Sequence, residues 1–272
     1  MNYIILSALY SAVKGINIPM NEESQSRLPD EGRIEGKNAV MEALKAGRPI
    51  DKIYIARGEQ DKALGFIISK ARAAGCVVSE VDRRKLDFMS QTHSHQGVIA
   101  IAAVKEYATV ESIIDAAKDR GEKPLIVVCD EISDPHNLGA IIRTAEAAGA
   151  HGIIIPKHRS AGITAIVEKT SAGAVEHIPV AKVANLAAAI EKLKESGIWI
   201  FGTVADGTKN LWESDLKDSA AIVIGSEGEG MSRLMKENCD FLVSIPMRGR
   251  VSSLNASAAA AVMLYEAVRQ RK

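Results

Sequence analysis

The chain is poor in aromatics: Phe, Trp and Tyr make up 4% of its 272 residues. That scarcity argues against a surface on which rows of rings stack on successive bases. The chain also lacks net charge, with 34 Lys and Arg against 34 Asp and Glu, so no global basic field draws in nucleic acid. Cysteine is rare. Cys76, Cys129 and Cys239 are far apart, odd in number and set mostly in apolar runs. They read as buried thiols of a reducing compartment, not as a disulfide framework or a zinc site. No apolar run approaches the roughly 20 residues that a membrane-spanning helix needs.

Apolar residues are 47% of the chain and charged residues 25%, the balance of a soluble globular protein with material for a core. The length allows one large domain or two small ones. Charge is unevenly spread. Residues 31–105 hold 13 Lys and Arg against 9 Asp and Glu, while residues 106–272 hold 19 against 22. The excess of four positive charges is compatible with a weakly basic, RNA-facing module and equally with ordinary scatter. The start, MNYIILSALYSAV, is apolar but short, and no basic residue precedes it as in a secretory signal. Residues 1–31 are expected to be a disordered extension. Met20 is the expected biological start, with residues 1–19 lying upstream of it.

Two domains are expected. The first, residues 32–105, alternates helix and strand: Gly36–Leu44 has helical spacing, Ile53–Ala56 is a short strand, and Lys62–Ala74 is a helix ended by Gly75. Cys76–Val81 and Gly97–Val104 complete a small α/β layer. Residues 106–123 read as a polar, helical linker. The second domain, 124–272, opens on Leu125–Asp130, an apolar run typical of a buried parallel strand. Strands are expected at Gly152–Ile155, His177–Val180, Trp199–Val204, Ala221–Gly225 and Phe241–Ile245. Helices are expected at about Leu138–Ala148, Asn185–Ser196, Ser232–Asn238 and Leu254–Arg269. This is an open α/β sheet, whose ligands bind beyond the C-terminal ends of the strands.

Three constellations stand at those ends. After Asp130 come Asn137, near a helix start, and Arg143, six residues on and so about 1.7 turns along at ~3.6 residues per turn. Taken alone, they are a helix cap and a surface cation. After Ile224 comes Gly225-Ser-Glu-Gly-Glu-Gly230, whose glycines let backbone approach a ligand closely. Its spacing is neither that of a dinucleotide fold nor that of a P-loop. Glu227 and Glu229 would repel a phosphate, so a neutral or cationic ligand suits the loop better. The third is Ile245-Pro-Met-Arg-Gly-Arg-Val-Ser-Ser-Leu-Asn-Ala-Ser-Ala-Ala-Ala-Ala261: strand end, polar loop, then Ala-rich helix. Ser252, Ser253 and Asn255 stand where the helix offers free N–H groups.

In this order and at these strand ends, the three motifs resemble those of the SpoU (TrmH) group of RNA ribose 2′-O-methyltransferases, within the SPOUT superfamily. The resemblance covers residues ~124–272. Residues 32–105, with IEGKNAVMEAL and His95-Gln-Gly-Val98, look like the group's RNA-binding domain, itself similar in fold to certain RNA-binding ribosomal proteins. The arrangement is most similar to bacterial enzymes that methylate a guanosine ribose in 23S rRNA.

The resemblance implies a C-terminal domain with a deep trefoil knot, a rare exception to unknotted topology. It implies S-adenosylmethionine held by backbone around Gly225, Ile245 and Leu254, with Thr203 and Met247 nearby. It implies a cytoplasmic homodimer formed through the C-terminal domain, acting on RNA, with no metal and no membrane. Catalytic candidates are Arg143, Asn137, Glu227, Ser253 and Asn255. Proposals for the family make the matching Arg the base, yet an Arg pKa above ~12 leaves almost no neutral form at pH 7. Arg143 is therefore expected to be essential as a guanidinium that clamps a phosphate and stabilises a developing alkoxide. Asn137 would orient Arg143 or the ribose, Ser253 and Asn255 would position ribose or phosphate, and Glu227 would shape the loop or bind the nucleotide. Lys37, Asn38, Arg83, Arg84 and Lys85 are the candidate RNA contacts. His93 and His95 form an H-x-H pair without further metal ligands nearby. Competing readings are a tRNA ribose methyltransferase, an rRNA adenosine 2′-O-methyltransferase, a catalytically silent RNA-binding protein, and an ordinary Rossmann-type methyltransferase. Against the last, Asp130-Glu-Ile-Ser-Asp134 stands where its Gly-rich loop belongs.

Overall fold

The computed structural model describes residues 32–58 and 61–272. The expected disorder of residues 1–31, and the choice between Met1 and Met20, lie outside those residues.

The first unit is a four-stranded sheet of order β1-β4-β2-β3, from β1 (Arg33–Glu35), β2 (Ile50–Ala56), β3 (Val77–Val81) and β4 (Val98–Ala102). Both β1 and β2 run antiparallel to β4, and β3 runs parallel to β2. Alternation along the strands gives the sheet two apolar faces. Ile53, Ile55, Val98 and Ala100 meet the helices α1 (Lys37–Lys45) and α2 (Lys62–Ala73) on one side. Ala56 and Ile99 meet Leu86 of α3 (Arg83–Met89) on the other. Neither β1 nor α3 is visible in the hydropathy pattern, being three and seven residues long.

The second unit is a seven-stranded sheet of order β7-β6-β5-β10-β8-β11-β9, with every pairing parallel. Its strands are β5 (Leu125–Cys129), β6 (Gly152–Pro156), β7 (Val180–Val183), β8 (Trp199–Thr203), β9 (Lys209–Asn210), β10 (Ala220–Ile224) and β11 (Phe241–Ser244). At the centre, β5 and β10 pair along their whole length, and each of their residues is buried. Coverage by helices on both faces is why these runs are apolar without alternation. One face is covered by α5 (Pro135–Ala147) and α9 (Ala256–Gln270), the other by α4 (Val110–Asp119) and α7 (Leu186–Glu195). The short helices α6 (Ala165–Thr170) and α8 (Arg233–Asn238) complete the layer. The expected α/β class is what the chain adopts.

Four expectations shift. Within residues 106–123, the expected linker, a helix forms over Val110–Asp119 only, and it packs into the core. Val110, Ile113 and Ile114 of α4 are core residues, and Ile113 fills the place a Cβ on Gly152 would take, at 2.6 Å. The expected strand at His177–Val180 begins instead at Val180. Gly173, at φ +86°, turns the chain into a 3-10 turn over Ala174–Glu176 first. Helix α5 starts at Pro135, not Leu138, because Asp134 caps it and accepts from the His136 N–H at 2.9 Å. Asn137 is thus inside the helix and not its cap. Helix α9 starts at Ala256, capped by Asn255 rather than by Ser252 or Ser253.

The end of α9 is fastened to the segments that lead into the central strands β5 and β10. The Arg271 guanidinium donates to the carbonyls of Lys123, Pro124, Leu216 and Asp218. Gln270 adds a donation from Nε2 to Ser214 O at 2.9 Å and an acceptance from the Leu216 N–H at 2.7 Å.

His151 gives the fold a pH dependence. It is buried; Nδ1 accepts from the Leu125 N–H at 3.1 Å and Nε2 meets Glu122 Oε2 at 3.0 Å. Burial holds its pKa below the usual 6.5, outweighing the pull of Glu122. The unfolded chain then takes this proton more readily than the folded one. The stabilisation from neutral His151 is complete above the unfolded pKa and is lost as pH falls through the folded one. The denaturant midpoint should drop between about pH 7.5 and about pH 5.5. The His151→Gln variant should lose part of that drop, as urea titrations at both pH values will show.

Candidate functional site

The C-terminal ends of β8, β10 and β11 open on one side of the sheet, and three loops leave them. A cavity of about 310 Å³ lies between the loops, within the range of small-molecule sites. Its wall includes Thr203 and Asp206 after β8, Gly225 to Met231 after β10, and Ile245, Met247 and Ser252 to Leu254 after β11. All five residues expected to contact a cofactor, Thr203, Gly225, Ile245, Met247 and Leu254, line this one cavity.

The middle loop is a tight return. Ser226 and Gly230 exchange N–H···O bonds of 3.0 Å in both directions. A Cβ on Gly225 would lie 2.4 Å from Gly230 C and Met231 N, so only glycine lets the two backbones pass. Gly230 itself sits at φ +70°. Asp130, at the end of β5, fixes the far end of this loop. Its Oδ2 accepts from the Ser232 N–H at 2.7 Å, and Ser232 caps α8. Burial pushes the Asp130 carboxyl above its ordinary range, partly offset by that bond. Asp130 was not among the sequence candidates, although a carboxylate ending an otherwise apolar strand is the signal that could have found it.

A second cavity, of about 250 Å³, adjoins the first and shares Ser226 to Glu229 with it. Its remaining wall is Glu131 to Asp134 and Asn137. Asn255, which lines neither, ties Asn137 of the second cavity to Glu227 of the shared loop. Its Nδ2 donates to Asn137 Oδ1 at 2.9 Å and to Glu227 Oε1. Its Oδ1 accepts from the N–H groups of Ser257 (3.0 Å) and Ala258 (3.2 Å), capping α9. The structure therefore brings Asn137, Glu227 and Asn255 into contact and sets Ser253 on the neighbouring wall. It does not bring Arg143 to them. Arg143 is exposed on α5, outside both cavity walls, and makes no hydrogen bond or ion pair with the described residues.

The residues expected to meet RNA fall into two groups. Lys37 and Asn38 open α1, and the Lys37 ammonium is already paired with Asp61 at 2.5 Å. Arg83, Arg84 and Lys85 open α3 on the opposite face of the sheet, where the Lys85 ammonium lies 5.8 Å from the centre of the Tyr54 ring. They do not form one patch around a single helix end. His95 is buried and structural: Nδ1 accepts from the Gly97 N–H at 3.0 Å, so Nε2 donates to Asp87 at 2.9 Å.

The SpoU rRNA Methylase family profile matches residues 124–265, and the profile for RNA 2′-O ribose methyltransferase substrate binding matches residues 33–108. YacO of Bacillus subtilis (strain 168), named for the TrmH family of tRNA/rRNA methyltransferases, is 49% identical over 238 residues. The match spans 88% of this chain and 95% of that protein. A TrmH-family relative in Staphylococcus aureus (strain MSSA476) is 45% identical, over 88% of this chain and 96% of its own length. Among solved structures, the SpoU methyltransferase AviRb of Streptomyces viridochromogenes, in complex with AdoMet, superposes with a TM-score of 0.77. It is 27% identical, over 89% of this chain and 91% of that one. The AdoMet-bound rRNA methyltransferase of Sinorhizobium meliloti superposes at 0.73, also 27% identical, over 88% and 87%.

Because Asn255 both caps α9 and bridges Asn137 to Glu227, Asn255→Ala should cost about 1 kcal/mol of stability as a lost cap. Asn255→Ser, which keeps a capping oxygen but is too short to reach Asn137 and Glu227, should recover most of that stability. Thermal melts of the two variants will separate the cap from the bridge.

Proposed function

This chain belongs to the SpoU rRNA methylase family, and from that premise we propose that it methylates the ribose 2′-oxygen of a guanosine in 23S rRNA. The coarser activity follows from membership: it is an RNA 2′-O-ribose methyltransferase that uses S-adenosylmethionine. The observation that carries the reading is the pair of adjoining cavities that share the loop Ser226 to Glu229, one for the methyl donor and one for the nucleoside. No helix among the described residues is long and apolar enough to cross a membrane. We place the enzyme in the cytoplasm, with its RNA.

The first cavity fits the methyl donor. The backbone of Gly225 lines the cavity, and among the described residues the buried Thr203 Oγ1 has no hydrogen-bond partner. Asp206, Glu227 and Glu229 outweigh Lys236 on the wall, and the net negative lining suits a sulfonium and an ammonium. When bound, S-adenosylmethionine supplies a methyl group already activated for displacement. The protein's own task is then alignment, worth up to ~7–11 kcal/mol in favourable cases. Asn137 and Asn255 fix the ribose at the boundary between the cavities, Ser253 positions ribose or phosphate, and Glu227 orders the loop against Asn255. The expected trefoil knot is supported by the path of residues 245–256. They leave β11, form a wall beside the loops of β8 and β10, and lead α9 onto α5 across the sheet.

Arg143 lies on the exposed side of α5, and α9, which packs on α5, leaves Tyr265 half exposed. We assign this side to the homodimer contact, from which Arg143 would reach RNA at the mouth of the site. A guanidinium there grips a phosphate bidentately and stabilises negative charge on the ribose oxygen. Arg143→Lys keeps the charge but not the fork, and its turnover should fall by roughly tenfold or more. Near-wild-type turnover would show that no guanidinium is needed.

The target is tested by mapping ribose methylation in total RNA from a strain lacking the gene. Loss of one methyl group at a guanosine of 23S rRNA is expected. Loss at a tRNA nucleoside or an rRNA adenosine would replace this substrate, and no loss in any RNA would favour a silent RNA-binding protein.

A further inference from the structure

The two units are joined by buried ions. Arg48 lies in the turn between α1 and β2. Its Nε and Nη2 donate to Ala103 O at 3.0 and 2.8 Å, and its Nη1 donates to Glu168 Oε1 and Glu176 Oε1, both at 2.7 Å. The side chains of Arg48, Glu168 and Glu176 are 6%, 3% and 4% exposed. Lys105 Nζ lies 3.5 Å from Glu176 Oε2, so two cations meet two carboxylates. Arg48 belongs to the first unit, whereas Glu168 lies on α6 and Glu176 on the turn that follows it.

Further contacts surround this cluster. Lys169 donates to Ser94 O at 2.6 Å and to Thr92 Oγ1 at 3.1 Å, and Thr92 Oγ1 donates in turn to the buried Glu35. His177 Nε2 meets Glu42 Oε2 at 2.8 Å. Gly173 lets the turn lie on α1: a Cβ there would stand 2.5 Å from Glu42 Cβ. On its other side α6 is pressed against α5, where a Cβ on Gly139 would stand 2.7 Å from Thr170 Cβ and 3.0 Å from Val167 O. An unbroken line of close packing therefore runs from the first sheet through α6 to α5, which carries Asn137.

A flexible tether would join two domains without burying ions. Buried pairs gain little net stability, because desolvation offsets their attraction. What they give is one geometry, since breaking the pair strands a charge. We propose that Arg48, Glu168 and Glu176 are positioning residues for methyl transfer. They hold the RNA-binding unit in one orientation to Asn137, so the enzyme accepts RNA whose gripped element and target ribose lie a fixed distance apart. The substrate class is then folded RNA rather than a short single strand. This inference rests on the RNA methyltransferase reading.

The test uses full-length protein and ribosomal RNA purified from a strain lacking the enzyme. Arg48→Met should raise KM for that RNA about tenfold or more while leaving kcat at saturating RNA and S-adenosylmethionine affinity within about threefold. Arg48→Lys should restore part of the loss. Small-angle X-ray scattering should fit one rigid arrangement for the wild type and a broader ensemble for Arg48→Met. If Arg48→Met fails to fold, Glu168→Gln/Glu176→Gln, which keeps neutral acceptors, carries the same measurements. An unchanged KM in a variant whose scattering has broadened would overturn the proposal, as would unchanged scattering in both variants. Absence of methyl transfer by the wild type would instead strike the functional reading, and the scattering would still report on the joint.

Discussion

The site depends on one steric constraint, the crossing of backbone at Gly225 by Gly230 and Met231. A Cβ on residue 225 would collide with the Gly230 and Met231 backbone, so the two segments pass only because that position carries no side chain. With the crossing in place, the loop after β10 is a closed return that serves two cavities at once. Asp130 holds its exit and thereby couples the loop to β5, the neighbouring strand in the sheet. Without the crossing, the walls drawn from β8, β10 and β11 would have no common edge. The chemistry assigned to the chain asks mainly for alignment of two bound groups, and a wall shared by two cavities is a direct way to supply it.

Charge is used differently in the two halves. In the second unit, the carboxylates Asp206, Glu227 and Glu229 outnumber the cation Lys236 on the wall of the first cavity. In the first, cations are spread over both faces of the sheet, and several are already paired within the protein. Lys37 is bound to Asp61, and Arg48 is buried with Glu168 and Glu176. The small positive excess of residues 31–105 therefore overstates the charge left for RNA. Burial pushes the Glu168 carboxyl up to about 7 despite Arg48, so even this ionic cluster is held at some electrostatic cost.

Much of the catalytic half is legible in the sequence, because its signals are local. Leu125–Cys129 and Ala220–Ile224 are unbroken apolar runs, and each ends in polar or Gly-rich residues that become loops. The five cofactor candidates are placed together by the family resemblance, which the local motifs after β10 and β11 carry. Relations between distant segments are not legible. Arg48 and Glu168 are 120 residues apart, and nothing in either neighbourhood marks the pairing. Helix α6 spans six residues with Ile166 and Val167 among them, too short for a period to show. The placement of Asn137 was misjudged by one cap: Asp134 and Pro135 open the helix earlier than Leu138 suggests. That shift puts Asn137 in the first turn, facing Asn255.

The fastening of Arg271 bears on how the molecule is assembled. Its guanidinium meets carbonyls from the segments before β5 and before β10, which lie far apart in the chain. Helix α9 can therefore dock only on a sheet whose central strands are already paired, and its docking closes contacts across roughly half the sequence. Such late, non-local closure is slow to form. Interactions made after the folding transition state chiefly slow unfolding. The last helix then acts as a latch across the catalytic half, tying the segments that lead into its two central strands at the end of the sheet away from the chemistry.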